Sequence, residues 1–491
     1  MANQLGYAEA VPWLEAGPRM AAFALSMIIG KMYTVGSKRA VFVFLYVNYL
    51  AGLALCGGTP SMTGAIVGRV WAGTSINGMK MGLFRLVGDV TPHGTRSLYQ
   101  FATNLSWGIA FAVGPLFGML GAPAWRWMFF GQMFLSVGII PLMLIAIPFA
   151  STPTVNLSDE NRIQHRYEDD EEGEEEDDHD PPDSIGTLLS VSSIILFTIA
   201  TVFGGVMHEW GSTAVVLLYA IGFIFTVAFI IQQADCIFAK KDERHLDCSQ
   251  FRKLQHALRF ALITCSSVAA WVSLFYLPFY MYTIRDGSAT ETARDLVPFT
   301  ASLVLGLACM DFLRLKPGYY RIFFIASMAF GLVGSVFMNQ MGIESSKIGV
   351  YASSVLLGIS SGSALHAGFT VYHPQQNPDT YTASIPTKLV GHLGGSWFGI
   401  CVAGAIFMKT AKVDLRHTFP DLDGGARDNL VIGNAGKVIA GLRDSDRKVV
   451  LEILAGALQK MWFLPISAHA LALVFAIMVK VVFFWGVGNW N

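Results

Sequence analysis

Charge is what this sequence has least of. Asp, Glu, Lys and Arg make up 14% of its 491 residues, against about 25% in an ordinary soluble domain. That is too little to coat a globule of this size in water, so a soluble enzyme is excluded. Cysteine is sparse as well. Cys56, Cys236, Cys248, Cys265, Cys309 and Cys401 are scattered along the chain, which excludes a disulfide framework, and no two stand at the CxxC spacing of a metal site. The start, MANQLGYAEAVPWLEAGPR, carries two glutamates ahead of its first arginine and lacks the basic flank of a cleavable signal peptide. Clusters of His or carboxylate at helical spacing, which an integral membrane enzyme would need near one interface, are missing too. No catalytic residue, metal or cofactor is expected.

Acid is lacking where it would balance base. Twelve of the 35 Asp and Glu lie in one run, Glu168 to Asp183. The rest of the chain holds 23 acids against 34 Lys and Arg, so a basic body carries one acidic insert. Like charges packed this densely repel and stay solvated, so the run reads as a flexible linker, with metal or diphosphate chemistry disfavoured.

What the chain has in abundance is apolar sequence, 53% of all residues. A membrane-crossing helix needs roughly 20 mostly apolar residues. Stretches of that kind, uncharged apart from Asp379, occur at Ala40–Pro60, Ser97–Trp125, Trp127–Leu157, Ser184–Met207, Gly211–Ala234, Phe260–Ile284, Ile322–Gly342, Ile348–Thr387, Leu389–Met408 and Met461–Val479. Leu296–Met310, bounded by Asp295 and Asp311 at the expected interfaces, and Ser61–Phe84, interrupted by Arg69 and Lys80, read as two more. The short block Met20–Gly30 completes thirteen, and it spans only if Glu15 and Arg19 enter the interface or are shielded by another helix. The class is an all-α polytopic membrane protein.

Basic loops face the cytoplasm. Those around Lys31, Lys38 and Arg39, around Lys80, Arg85 and Arg96, from Lys240 to Lys253, and from Arg314 to Arg321 alternate with basic-poor connections. The acidic run then falls on the cytoplasmic side. Residues 409–460 break the series of spans and read as an outer loop with amphipathic patches, NLVIGNAGKVIAGL and RKVVLEILAGALQKM. The organisation expected is an N-terminal bundle over 1–150, the linker 151–183, two central helices over 184–234, a basic loop 235–257 and a C-terminal bundle over 258–491.

Three segments carry chemistry. GKMYTVGSKRAVFVF sets Gly30, Lys31, Lys38 and Arg39 in a loop that either gates or anchors the helices beside it. IVGRVWAGTSINGM places Arg69 inside a span, where an arginine is expensive and is a functional candidate or a link between helices. SWGIAFAVGPLFGML places Gly108, Gly114, Pro115 and Gly118 in one span, a flat packing face with a kink. His366 and His392 also lie in spans. Either carries a proton, touches substrate or bonds a neighbouring helix. WVSLFYLPFYMY offers Trp271, Phe275, Tyr276 and Tyr280 as walls for a flat apolar ligand, or as packing.

In this order the three segments resemble the signature motifs of the major facilitator superfamily, in its 14-helix drug:proton antiporter branch. WRWMFF from Trp125, DSIGTLL from Asp183, FGGVMHEWGS, FYLPFYMYTIRDGSATETA, KPGYYR, LLGISSGSALHAGF and LGGSWFGICVAGAIF continue the likeness over about residues 15 to 480. It is nearest to fungal exporters of toxins and secondary metabolites. Thr34 stands where the family carries an acid, and Thr74, Ser75 and Ile76 replace family glycines.

The resemblance implies two six-helix bundles with two additional central helices, the family's first helix having no counterpart here. It implies a monomeric multi-pass protein of the plasma membrane, or of a vacuolar or vesicle membrane. Such a protein exports an amphipathic small molecule by proton antiport and confers drug or mycotoxin resistance. Arg69 would be its polar centre, with His366 and His392 as coupling candidates. A truncated, non-transporting relative acting as a sensor or an inactive product is the alternative. Nucleic acid is not an expected partner.

Overall fold

The computed structural model describes residues 13–90, 96–121, 125–149, 183–204, 208–235, 237, 251, 253–285, 289–314, 319–370, 378–420, 430–431 and 443–487. Five long helices come first: α1 (Trp13–Val35), α2 (Lys38–Gly58), α3 (Met62–Val90), α4 (Arg96–Gly121) and α5 (Trp125–Phe149). A pair follows, α6 (Ser184–Phe203) and α7 (Thr213–Asp235). The rest are α8 (Leu254–Thr283), the short α9 (Ala289–Asp295), α10 (Val297–Arg314), α11 (Tyr319–Gln340), α12 (Lys347–Thr370), α13 (Pro378–Thr418) and α14 (Asp444–Val487). Nine of the described helices combine the length and apolarity needed to cross a bilayer. Among the described residues the one extended pairing is a bridge between Gly204 and His208.

Two bundles result. In the first, α3 packs against both α1 and α2, and α2 against α5. Glycine makes the α2–α3 approach possible. A Cβ on Gly52 would lie 2.7 Å from the Ala72 nitrogen, and one on Gly68 would lie 2.7 Å from Cys56 Sγ. The second bundle joins α8 and α10 to α14 around a core that includes Val272, Leu277, Leu303, Leu357, Leu458 and Trp462. The α6–α7 pair stands beside both, with α6 touching α1 and α13. Trp397 Nε1 of α13 donates to Thr198 Oγ1 of α6 at 2.8 Å. One face of α7, with Val216, Leu217, Phe223, Ile224, Ile230 and Ile231, is exposed, as suits a helix turned toward lipid.

The bundles meet along two seams, α1 on α13 and α4 on α10. At the first, Ala22 with Met81 and Phe84 packs against Leu389 and Leu393. At the second, a Cβ on Gly108 would lie 3.1 Å from Leu307, and Asn104 Nδ2 donates to Asp311 Oδ2 at 2.9 Å. Asp311, expected at a membrane interface, is fully buried instead.

Three further differences from the sequence reading have physical causes. The short first block is part of a helix of 23 residues, about 35 Å long, because Glu15 and Arg19 pair with one another and are taken into the bundle. Helices α13 and α14 run for 41 and 44 residues, about twice the length needed to cross 30 Å of hydrocarbon. The expected outer loop is therefore helical at both ends. Its apolar face joins Leu415, Leu430, Val431, Val450 and Leu454 to the core of the second bundle. The third difference is Asp183, the last acid of the charged run. It is buried and caps α6, accepting from Gly186 N at 2.8 Å and from the side-chain amides of Gln232 and Gln233 at 2.9 and 2.6 Å. The remainder of that run lies outside the described residues.

Candidate functional site

The site begins with a proline. Pro18 lies inside α1 and has no N–H, so the Leu14 carbonyl one turn earlier loses its helical partner. Arg69 of α3 replaces it, donating from Nε to Leu14 O at 2.8 Å. The two helices come this close because Gly73 faces Pro18, where a Cβ would lie 2.7 Å from the proline ring. Arg69 Nη2 also donates to Glu15 Oε2 at 3.1 Å. Arg19 lies one turn beyond Glu15 on the same face, as i,i+4 spacing requires. It donates to Oε1 from Nε at 3.1 Å and from Nη2 at 2.7 Å. One carboxylate thereby joins two guanidiniums across α1 and α3.

This triad lines a cavity of about 320 Å³, at the lower end of the roughly 300–1,000 Å³ typical of small-molecule sites. The first bundle contributes Asn77, Lys80, Trp107 and Phe111 to its wall, and the second contributes Trp271 and His392. The aromatic rings form a chain. Trp107 and Phe111 have centroids 6.4 Å apart, and Phe111 meets Trp271 edge-on at 6.0 Å. Each tryptophan carries a cation over its face, Arg19 at 3.5 Å from the Trp271 centroid and Lys80 at 4.5 Å from that of Trp107. His392 sits 6.3 Å from Trp271, and its Nδ1 shares a hydrogen bond of 2.8 Å with Ser267 Oγ. Cations, one carboxylate, an imidazole and flat apolar faces therefore converge where the bundles meet. This arrangement can hold an amphipathic molecule and can exchange a proton.

The other residues singled out from sequence fall elsewhere. Phe275 and Tyr276 line a second, smaller cavity that shares Glu15 with the first. Tyr280 is packed in the second bundle, its hydroxyl donating to Gly342 O at 2.9 Å, and it lines neither cavity. Gly30 lies against Met81. Lys31 and Lys38 are half-buried and Arg39 is exposed at the α1–α2 connection. Gly108 is at the α4–α10 seam, whereas the space beside Gly114 is open. Pro115 is half-buried within α4. The surroundings of Gly118 and the side chain of His366 lie outside the described residues.

Sequence reasoning missed Glu15, Arg19 and Lys80 as a set with Arg69. The signal was present: a Glu and an Arg four residues apart within a block that must otherwise cross apolar surroundings, and Arg69 and Lys80 among the basic residues of the helix that faces it.

No family model matches the chain. Similar proteins are known in fungi. "Efflux pump patC" of Aspergillus clavatus is 25% identical over 468 residues, covering 94% of this chain and 82% of that protein. "MFS-type transporter patC" of Penicillium expansum is 26% identical, covering 94% and 83%. "Efflux pump DEP3" of Alternaria brassicicola is 24% identical, covering 96% and 81%. Among solved structures, a bacterial homologue of the human lysosomal transporter Spinster, inward-facing and occupied, matches with a TM-score of 0.58 at 14% identity. That match covers 100% of this chain and 92% of that one. A peptide transporter, POT, in complex with sulfate matches at 0.50 and 12% identity, covering 94% and 89%. The chain is thus a multi-pass membrane protein with the major facilitator fold, similar over nearly its whole length to fungal MFS-type efflux pumps and transporters.

Proposed function

We propose that the protein is a secondary transporter that exports an amphipathic small molecule, toxic or a secondary metabolite, in exchange for protons. The observation that carries this reading is the cavity at the junction of the two bundles, where the Glu15–Arg19–Arg69 triad faces Trp271 and His392. A site shared by both bundles opens to one side or the other as they rock, which is the geometry alternating access requires. The seams α1–α13 and α4–α10 are the surfaces along which that motion takes place. Names of the fungal relatives as efflux pumps support the outward direction. Arg69 is the polar centre, tied to a proline-freed carbonyl and to Glu15. His392 is the coupling candidate at the wall. The Gly30–Arg39 connection serves as gate, and the α4 motif of Gly108, Gly114, Pro115 and Gly118 as hinge. The protein acts as a monomer in the plasma membrane.

Expression in a yeast lacking its own efflux pumps tests this. Intracellular accumulation of a panel of amphipathic toxins is the readout, measured with and without collapse of the proton gradient. The expected result is lower accumulation of at least one compound, lost when the gradient collapses and lost in Arg69→Ala at equal surface protein. Unchanged accumulation of every compound despite surface expression refutes export. Export that persists in Arg69→Ala makes the arginine structural only.

A further inference from the structure

The second bundle gives the cavity wall two described residues, Trp271 of α8 and His392 of α13. A close crossing of these helices brings them there. Gly391, Gly395 and Gly399 recur at every fourth position of α13, which puts them on one face of that helix. A Cβ on Gly391 would lie 3.2 Å from the Phe260 ring, and one on Gly399 would lie 3.1 Å from Val268 Cα. One on Gly395 would press on the Thr264 carbonyl and lie 3.1 Å from Ser267 Cβ. Ser267 and Trp271 are one turn apart on α8, so serine, indole and imidazole meet at this crossing.

The hydroxyl hydrogen of Ser267 decides what the imidazole presents to the cavity. Ser267 is fully buried, and His392 Nδ1 at 2.8 Å is the one partner of its Oγ among the described residues. A buried hydroxyl left without an acceptor is costly, so Ser267 donates and Nδ1 accepts. The neutral ring then carries its own hydrogen on Nε2. Protonating the ring adds a hydrogen at Nδ1, with Ser267 turning to accept it, and leaves Nε2–H in place. His392 is 4% exposed, and its Nε2 meets no acceptor among the described residues. His469, buried in the second bundle, is the contrast. Its Nδ1 lies 2.9 Å from Pro465 O and 3.0 Å from Ser335 Oγ, and its Nε2 lies 3.0 Å from Ser360 Oγ. Both nitrogens of His469 are used in packing, whereas His392 keeps one for the cavity. Trp271 adds a second such group, since its Nε1–H is buried with no acceptor among the described residues.

Both donors are N–H groups that need no counter-charge, only an acceptor oxygen. The first bundle lines the cavity with the Asn77 and Gln132 amides and the Glu15 carboxylate, which supply acceptors. The second-bundle wall offers donors alone. Phe111, with its centroid 6.0 Å from that of Trp271, sets an apolar ring beside them.

Resting on the transport reading above, we infer that the cargo carries a carbonyl oxygen on a flat ring system. The carbonyl accepts from His392 Nε2, with Trp271 Nε1 as the second donor on that wall, and the ring lies against Phe111. Ser267 is the positioning residue that keeps the imidazole hydrogen on the cavity side.

The test uses the full-length protein in detergent, dialysed to equilibrium against the same micelles so that partition into micelles cancels. Three flat tricyclic probes differ at a single position: 9-fluorenone offers an acceptor there, carbazole a donor, and fluorene neither. Fluorenone is expected to bind at least about tenfold tighter than fluorene, with carbazole no tighter than fluorene. His392→Phe keeps a ring and removes the donor, and should bring the fluorenone-to-fluorene ratio down by about fivefold or more. Ser267→Ala lets the hydrogen move to Nδ1 and should lower the same ratio with no matching loss for fluorene. Ser267→Thr should restore it. A merely structural serine would weaken both probes alike. The comparison of the three probes on the unaltered protein needs no variant at all. Equal binding of fluorenone and fluorene, tighter binding of carbazole than of fluorenone, or no binding of fluorenone up to its solubility limit overturns the inference. So does a ketone preference that survives both His392→Phe and Trp271→Phe. The yeast accumulation assay uses none of these probes and reads transport separately. Export there without a ketone preference here refutes this inference alone. A ketone preference here without export there upholds the donor wall and refutes the transport reading.

Discussion

Replacing Glu15 with Gln removes the charge that holds two guanidiniums together and keeps the shape of the side chain. The carboxylate lies 2.7 Å from Arg19 and 3.1 Å from Arg69. At such distances each attraction is about 5–6 kcal/mol for an effective dielectric constant near 20. Removing one partner of a buried pair costs about 3–5 kcal/mol net, because the other partner is left uncompensated. The Glu15 and Arg19 side chains are 17% exposed and that of Arg69 34%, so water reaches the site and the lower bound, about 3 kcal/mol, applies. The amide of Gln keeps one acceptor for Arg19 or Arg69 and turns two N–H groups toward the other. At about 2 °C per kcal/mol for a large domain, the midpoint of thermal unfolding in detergent should fall by roughly 6 °C. Scanning fluorimetry of the purified protein measures it. The double variant Glu15→Gln, Arg19→Met removes the excess repulsion and should recover part of the loss. A midpoint within 1 °C of the unaltered protein, with no difference between single and double variants, would show that the triad is dissolved in solvent and refute the reasoning.

Three other perturbations follow from the seams, the helix crossings and the α4 motif. Asn104→Leu deletes the hydrogen bond to the buried carboxylate of Asp311 across the α4–α10 seam, a contact worth about 2 kcal/mol. The balance between the two open forms should move by more than tenfold, read as a change in sided labelling of a cavity cysteine. Unaltered labelling would deny this bond a role in holding the seam. Gly362→Ala would press a methyl group into the Leu303 carbonyl where α12 crosses α10, at a cost of about 1–3 kcal/mol seen in the unfolding midpoint. Gly114→Ala meets open space and should raise stability by up to about 1 kcal/mol through helix propensity. Loss of export in that more stable variant would identify a hinge.

The sequence marks the helices well because bilayer thickness imposes length and apolarity: the thirteen expected blocks fall on described helices of 18 residues or more, and nine candidate spans among the described residues are long and apolar enough to cross. Arg69, Trp271 and His392 could be singled out locally, as polar or aromatic groups at membrane depth, and all three line the cavity. What could not be read locally is pairing. Asp183 looks like one more charge in a solvated run, and only the Gln232 and Gln233 amides of α7 account for its burial. Asp311 looks like the end of a span until Asn104, more than 200 residues earlier, is brought against it. Glu15 and Arg19 shorten the first apolar block on paper, whereas Arg69 on a facing helix makes them part of a longer one. Tyr280 belongs to the same aromatic stretch as Trp271, but the helix turns it toward packing and away from the cavity.

Sided access to the cavity tests the central claim most directly. Ile76, on the cavity wall, is replaced by Cys in a chain whose six native cysteines have been removed. A membrane-impermeant thiol reagent is then applied to intact cells and, separately, to inside-out vesicles. Alternating access predicts labelling from both sides, with cargo slowing both and a proton gradient shifting the ratio between them. Labelling from one side only, under every cargo and gradient condition, would contradict it.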